Sequence, residues 1–138
     1  MATYNKFNSF VEALAEGAHN LGSDQLTVAL TATANAPVAT NTVLADLTEI
    51  AYTNLSTRAI TTSTSAQTSG TYKLVLTDLV LTASGGSVAA FQYVVVYNDT
   101  ATNDELIAWY DYGSALTLAS GETLTIDFDG TNGLLQIV

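Results

Sequence analysis

A chain of 138 residues is near the modal size of one domain, and a single hydrophobic core can stabilise it without staples. It has no cysteine, which removes disulfides, thiolate metal sites and cysteine nucleophiles. Thirteen acidic residues stand against only Lys6, Arg58 and Lys73, a formal charge of -10, the reverse of the balance that binds nucleic acid or an anionic membrane.

With 12% charged and 48% hydrophobic residues, solvent-facing positions must be filled largely by Thr, Ser and other neutral groups. That suits a β-rich protein whose surfaces meet other protein surfaces, although an extracellular β-sandwich would share it. No stretch approaches the ~18 consecutive apolar residues needed to span a bilayer. Asn8, Ser9 and Glu12 interrupt the apolar positions near the start, so the signal-peptide pattern is missing. The expectation is a soluble chain that is not exported by the usual route.

In chain order, Phe7, Phe10, Val11, Leu14 and Ala18 recur at helical spacing and predict one short amphipathic helix over residues 6–16, with Asn5 as N-cap and Gly17 just past its end. This helix is either a lid on the core or an arm for a neighbouring subunit. Tyr4, Phe7, Phe10, Val11 and Leu14 are therefore the candidate partner-interface residues, with Tyr4 and one phenylalanine expected to be left over for contacts. Residues 1–20 form this helix or arm, and residues 21–138 the remaining domain. From Asp24 the period becomes two, with Leu26, Val28 and Leu30 alternating against Thr27, Ala29 and Thr31 in a half-buried strand. Residues 32–42 hold the only proline, Pro37, and read as an extended loop. Val43, Leu44, Leu47 and Ile50 fit either a short strand or a turn of helix.

Residues 58–68 are a Thr/Ser tract with too little apolar content for a central position, hence an edge strand. Ser69-Gly70 turns into residues 72–82, where Leu74 and Leu76 have one parity and Leu79 and Leu81 the other, a mismatch that a bulge near Asp78 would reconcile. Gly85-Gly86 reads as the turn of a hairpin to residues 88–98, whose apolar residues cover both faces of a central strand. Residues 98–104 are a polar loop. Residues 106–112 are an aromatic strand ended by Gly113, with Trp109 alternating with Ile107 in the core and Tyr110 and Tyr112 on the other face beside Ala108. Leu124, Ile126 and Phe128 alternate cleanly with Thr123, Thr125 and Asp127. After a turn at residues 129–133 the terminus makes a last strand. Turn signals every 8–12 residues or so describe an all-β protein, an antiparallel β-sandwich or jelly roll of about 7–9 strands with one short N-terminal helix.

The catalytic inventory is thin. His19, the only histidine, sits in a Gly-rich bend and suits a surface or capping role. Asp104 with Glu105 and Asp127 with Asp129 are close carboxylate pairs, but both lie at strand-to-turn junctions, where Asp ordinarily bonds its own backbone. Asp127, Asp129 and Asn132 bring oxygen ligands together in the manner of a cation loop, but without EF-hand spacing. A Walker loop and a G-x-G-x-x-G are both absent. The reading is of a non-enzymatic chain with no catalytic, metal or cofactor residues. An aromatic sugar platform, if there is one, would come from Tyr110 and Tyr112.

Several segments resemble small virion proteins of tailed bacteriophages. They are Tyr4-Asn-Lys-Phe-Asn-Ser-Phe10, Leu21-Gly-Ser-Asp-Gln-Leu-Thr-Val-Ala-Leu30, Ala36-Pro-Val-Ala-Thr-Asn-Thr-Val-Leu-Ala45, Val96-Tyr-Asn-Asp-Thr100 and Asp127-Phe-Asp-Gly-Thr-Asn-Gly-Leu-Leu-Gln136. The resemblance is one of whole-chain texture, and it is to the capsid cement or decoration group. It implies a protein made in the host cytoplasm and carried on the capsid exterior of the virion. There it would bind the major capsid protein and stabilise the shell, as a homo-oligomer (a dimer or trimer). The alternative is a tail or fibre-tip protein with a glycan-binding sandwich. Neither implies nucleic acid or a membrane as partner.

Overall fold

The computed structural model describes residues 2–138. It is all-β, with one short α-helix and nine strands among the described residues. In order these are β1 (Thr3–Lys6), α1 (Ser9–Ala15), β2 (Leu26–Thr31), β3 (Thr62–Thr68), β4 (Thr71–Leu76), β5 (Leu79–Thr82), β6 (Phe91–Asn98), β7 (Leu106–Leu116), β8 (Thr123–Ile126) and β9 (Leu135–Ile137). A four-stranded antiparallel sheet runs β1-β7-β6-β2, and a three-stranded sheet β3-β4-β9 and a two-stranded sheet β5-β8 complete the sandwich.

The main core lies between the large sheet and the two small ones. Leu26, Val28 and Leu30 of β2, Val94 and Val96 of β6, and Ala108 of β7 meet Leu74, Leu76, Leu81 and Ile126 there. The opposite face of the large sheet is also buried. Ala29, Val95, Tyr97, Leu106 and Trp109 form a second cluster under Phe7, with Ala39, Leu44 and Leu47 packed against it. All six residues of β2 are buried in consequence, so the expected half-buried strand is corrected to one covered on both faces. Although β2 ends its sheet, its free edge is covered too: Val28 N donates to Arg58 O (3.0 Å), Ile60 N to Leu26 O (2.9 Å) and Ile50 N to Leu30 O (3.0 Å). Arg58 holds this strap with a 2.6 Å bond to Val28 O, its guanidinium 3.7 Å from the Tyr52 ring centre.

The central strand is β6, as its two apolar faces predict, flanked by β2 and β7. The β3 tract lies at a sheet edge, as its composition predicts. Val43 forms an isolated bridge to Glu105 and the next residues, Leu44–Asp46, make a 3-10 turn, so the ambiguous segment is both bridge and turn.

Four further expectations are corrected. Residues 72–82 are not one bulged strand: the chain breaks at Thr77 and Asp78, and the parity change marks a crossing from one small sheet to the other. Asp78 fixes the crossing by accepting the Phe128 amide at 2.9 Å. Gly85-Gly86 is no hairpin turn either, since β5 pairs with β8 and β6 with β2 and β7. Nor does Gly113 (φ 94°) end β7. Asp111 faces Tyr93 and Leu116 faces Phe91, so residues 112–115 swell out between two paired positions and the strand resumes. A further irregularity sits between the Ala108 and Leu106 pairings, and it places Ile107 and Trp109 in different clusters rather than on one face.

Candidate functional site

The N-terminal segment is built into the sandwich. Residues 3–6 form β1, with Tyr4 opposite Tyr110 and Asn5 opposite Trp109. The helix is correspondingly shorter than predicted, and Asn8 rather than Asn5 precedes it. The strand wins because β7 offers a free edge whose hydrogen bonds outweigh a few residues of weak helix propensity. Gly17, at φ 83°, follows the C-cap as predicted.

This arrangement sorts the five interface candidates. Phe7 is fully buried, 4.5 Å from Trp109 between ring centres. Phe10 is buried beside His19, at 5.3 Å, and Leu14 packs against the main core. Only Tyr4, 42% exposed, and Val11, 53% exposed, present substantial surface. The two phenylalanines spend their apolar area inside this chain, so neither is left over for contacts. Tyr4 leans edge-on against Tyr110 at 5.5 Å, and burial raises its pKa.

The longest uncovered surface feature of the small sheets is the outer edge of β3. It pairs with β4 on one side only. All but two of its seven residues are exposed, and no charged residue occurs from Ala59 to Tyr72. A register irregularity lies between Thr62 and Thr64, after which Thr64 to Thr68 pair regularly with β4. Edge strands are commonly blunted by Lys, Pro or covering loops; Thr64 to Thr68 contains neither Lys nor Pro.

The titratable residues singled out from sequence fall in two places: at one, Glu105 acts on both His19 and Asp104, and at the other Asp127 and Asp129 follow β8. His19 is 6% exposed, which corrects its expected surface role. Its Nδ1 faces Asn98 Nδ2 at 3.0 Å, while Nε2 is buried without a partner among the described residues. Burial lowers its pKa, against the opposing pull of Glu105 and Asp24. Asp129 bonds its own turn, accepting the amides of Thr131 and Asn132 at 2.8 Å each, and these donors lower its pKa. Asp127 is exposed. Asp104 adopts φ 54°, and its pKa is raised by burial and by Asp99, Glu105 and Glu49. Among the described residues no group of three or more His, Cys, Asp or Glu side chains is placed to hold a metal ion.

Sequence reasoning missed two features. Asn98, where the expected strand 88–98 meets the expected loop 98–104, does end β6, but its full burial has no signal in the sequence. A groove of about 580 Å³ between β7 and β8 brings Tyr110 and Tyr112 together with Asp127, residues whose spacing along the chain carries no such signal.

No family model, curated protein or solved structure matches this chain.

Proposed function

We propose that this chain is a structural protein of a tailed-bacteriophage virion, a cement protein that binds the outer surface of the major capsid protein shell and ties neighbouring capsomers together. What carries the reading is the uncharged, one-sided edge of β3. A free edge of this kind offers a row of backbone donors and acceptors to which a strand of another subunit can be added. It also lets an acidic protein approach a neighbour without like charges meeting at the contact. A second copy could use the same edge, and small homo-oligomers would multiply weak individual bonds by avidity. The charge of -10 keeps the protein off packaged DNA. The resemblance to small phage virion proteins points the same way.

The test is decoration of expanded, empty heads of the phage whose genome carries this gene. Purified protein is expected to occupy the shell surface and to raise the temperature at which shells rupture. The double variant Thr64→Lys, Gln67→Lys, with both changes at exposed positions of β3, should keep its own melting temperature and lose most of that occupancy. Wild-type protein that leaves shells bare overturns the cement reading. A double variant that decorates as well as wild type overturns β3 as the contact.

A further inference from the structure

We propose that the groove between the swollen end of β7 and strand β8 is a binding subsite for a neutral sugar, independent of any attachment to a shell. The groove measures about 580 Å³ and is lined by Val94, Tyr110, Tyr112, Ser114, Thr125 and Asp127, among others. That is within the usual range for a small-molecule site and combines an apolar wall with a few polar groups.

Each part matches sugar chemistry. A pyranose has faces of C–H groups and a rim of hydroxyls. The C–H faces pack on aromatic rings, and a tyrosine offers both an apolar body and a polar tip. Tyr112 is 48% exposed at the start of the swelling that Gly113, at φ 94°, permits. Bulges of this kind re-aim side chains, here in the one strand that carries the paired tyrosines. Tyr110 is held more rigidly, edge-on to both Tyr4 (5.5 Å) and Phe128 (6.3 Å). Burial raises its pKa to about 12, so its hydroxyl keeps its proton and remains a donor.

The carboxylate completes the set. An ionised carboxylate only accepts, and adjacent sugar hydroxyls are paired donors that it can take together. Of the three aspartates around β8, Asp78 is occupied by the Phe128 amide and Asp129 by its own turn. Asp127 is exposed at the groove and bonds no other described residue. Ser114 and Thr125 add hydroxyls that both donate and accept. The negative charge also sets the class of sugar: sialic and uronic acids would meet Asp127 and the overall charge of -10 as repulsion.

The test is amide chemical-shift titration of the full chain. The probes are glucose, galactose, N-acetylglucosamine and lactose, with N-acetylneuraminic acid as the anionic arm. At least one neutral sugar is expected to give saturable shifts at Tyr112, Ser114, Thr125 and Asp127, and the anionic sugar none. Tyr112→Ala and Asp127→Asn should each weaken binding about tenfold or more while the melting temperature holds. The proposal is overturned if no neutral sugar saturates, if shifts centre elsewhere, if both variants bind as wild type, or if N-acetylneuraminic acid binds equally. Shell decoration plays no part in this measurement, so either proposal can fail without the other.

Discussion

Asn98 is fully buried and uses all of its polar capacity. Its Nδ2 donates to Asp24 Oδ2 at 2.7 Å and reaches His19 Nδ1 at 3.0 Å, while its Oδ1 accepts the amides of Thr100 and Ala101 at 3.0 and 3.1 Å. Asn98→Ala takes a partner from each of these four groups, although Asp24 Oδ2 keeps the Asn20 amide at 2.7 Å. It should cost about 2–4 kcal/mol in urea unfolding, the usual penalty for several buried groups left unpaired. This geometry makes His19 Nδ1 an acceptor, so the neutral imidazole is the form that fits. Burial lowers the folded-state pKa from the ordinary 6.5, so on acidification the unfolded chain takes up the proton first. The stabilisation is therefore complete above pH 6.5 and drains away as pH falls from there to the lower folded-state value. Urea midpoints measured across that window should fall with pH, and His19→Gln should flatten the slope. Asp46 and Asp129 act in a lower window. Hydrogen bonds to their carboxylates lower both pKa values from 3.8, so their contribution is present above 3.8 and lost below it.

Among the elements, the N-terminal strand and helix decide most. Phe7 and Phe10 are buried, Val11 is not, and complete burial of one large apolar side chain stabilises by ~1.5–3 kcal/mol. Phe7→Ala should cost about 3–5 kcal/mol by chemical denaturation, and Val11→Ser should stay within about 0.5 kcal/mol of wild type. Deleting residues 1–17 removes both phenylalanines and β1, a loss comparable with the whole stability of a small domain. The truncated chain is expected to aggregate or melt early in calorimetry; one that keeps its melting temperature contradicts the integral role given to β1. The turn into β9 rests on Gly133, at φ 81°, where an added Cβ would meet the Leu74 carbonyl oxygen. Its neighbour Asp129 satisfies its carboxylate within the same turn, so chelator should leave the melting temperature unchanged. A fall reversed by calcium would show a cation site there.

At the scale of the whole molecule, two surfaces of different chemistry emerge. One is the uncharged backbone edge of β3, suited to another protein chain. The other is the aromatic and acidic groove between β7 and β8, suited to a small polar ligand. They draw on separate strands, and the predicted losses on mutation are separate as well. The charge of -10 bears on both proposals in the same way, since it repels anionic partners.

Periodicity alone made much of this legible. Apolar alternation identified β2 and β8, apolar residues on both faces identified β6, and the poverty of apolar side chains in the Thr/Ser tract marked β3 as an edge, because these features depend only on which faces must leave water. Gly17 announced the end of α1 by the same local logic. What remained hidden depends on partners far along the chain. Whether residues 3–6 coil or extend was decided by the open edge of β7. The destination of residues 79–82 was decided by β8, since local parity records a change of face without naming the strand beyond it. The two irregularities of β7, one of which separates Trp109 from Ile107 while the other opens residues 112–115, come from pairing register, and register is a property of two strands together.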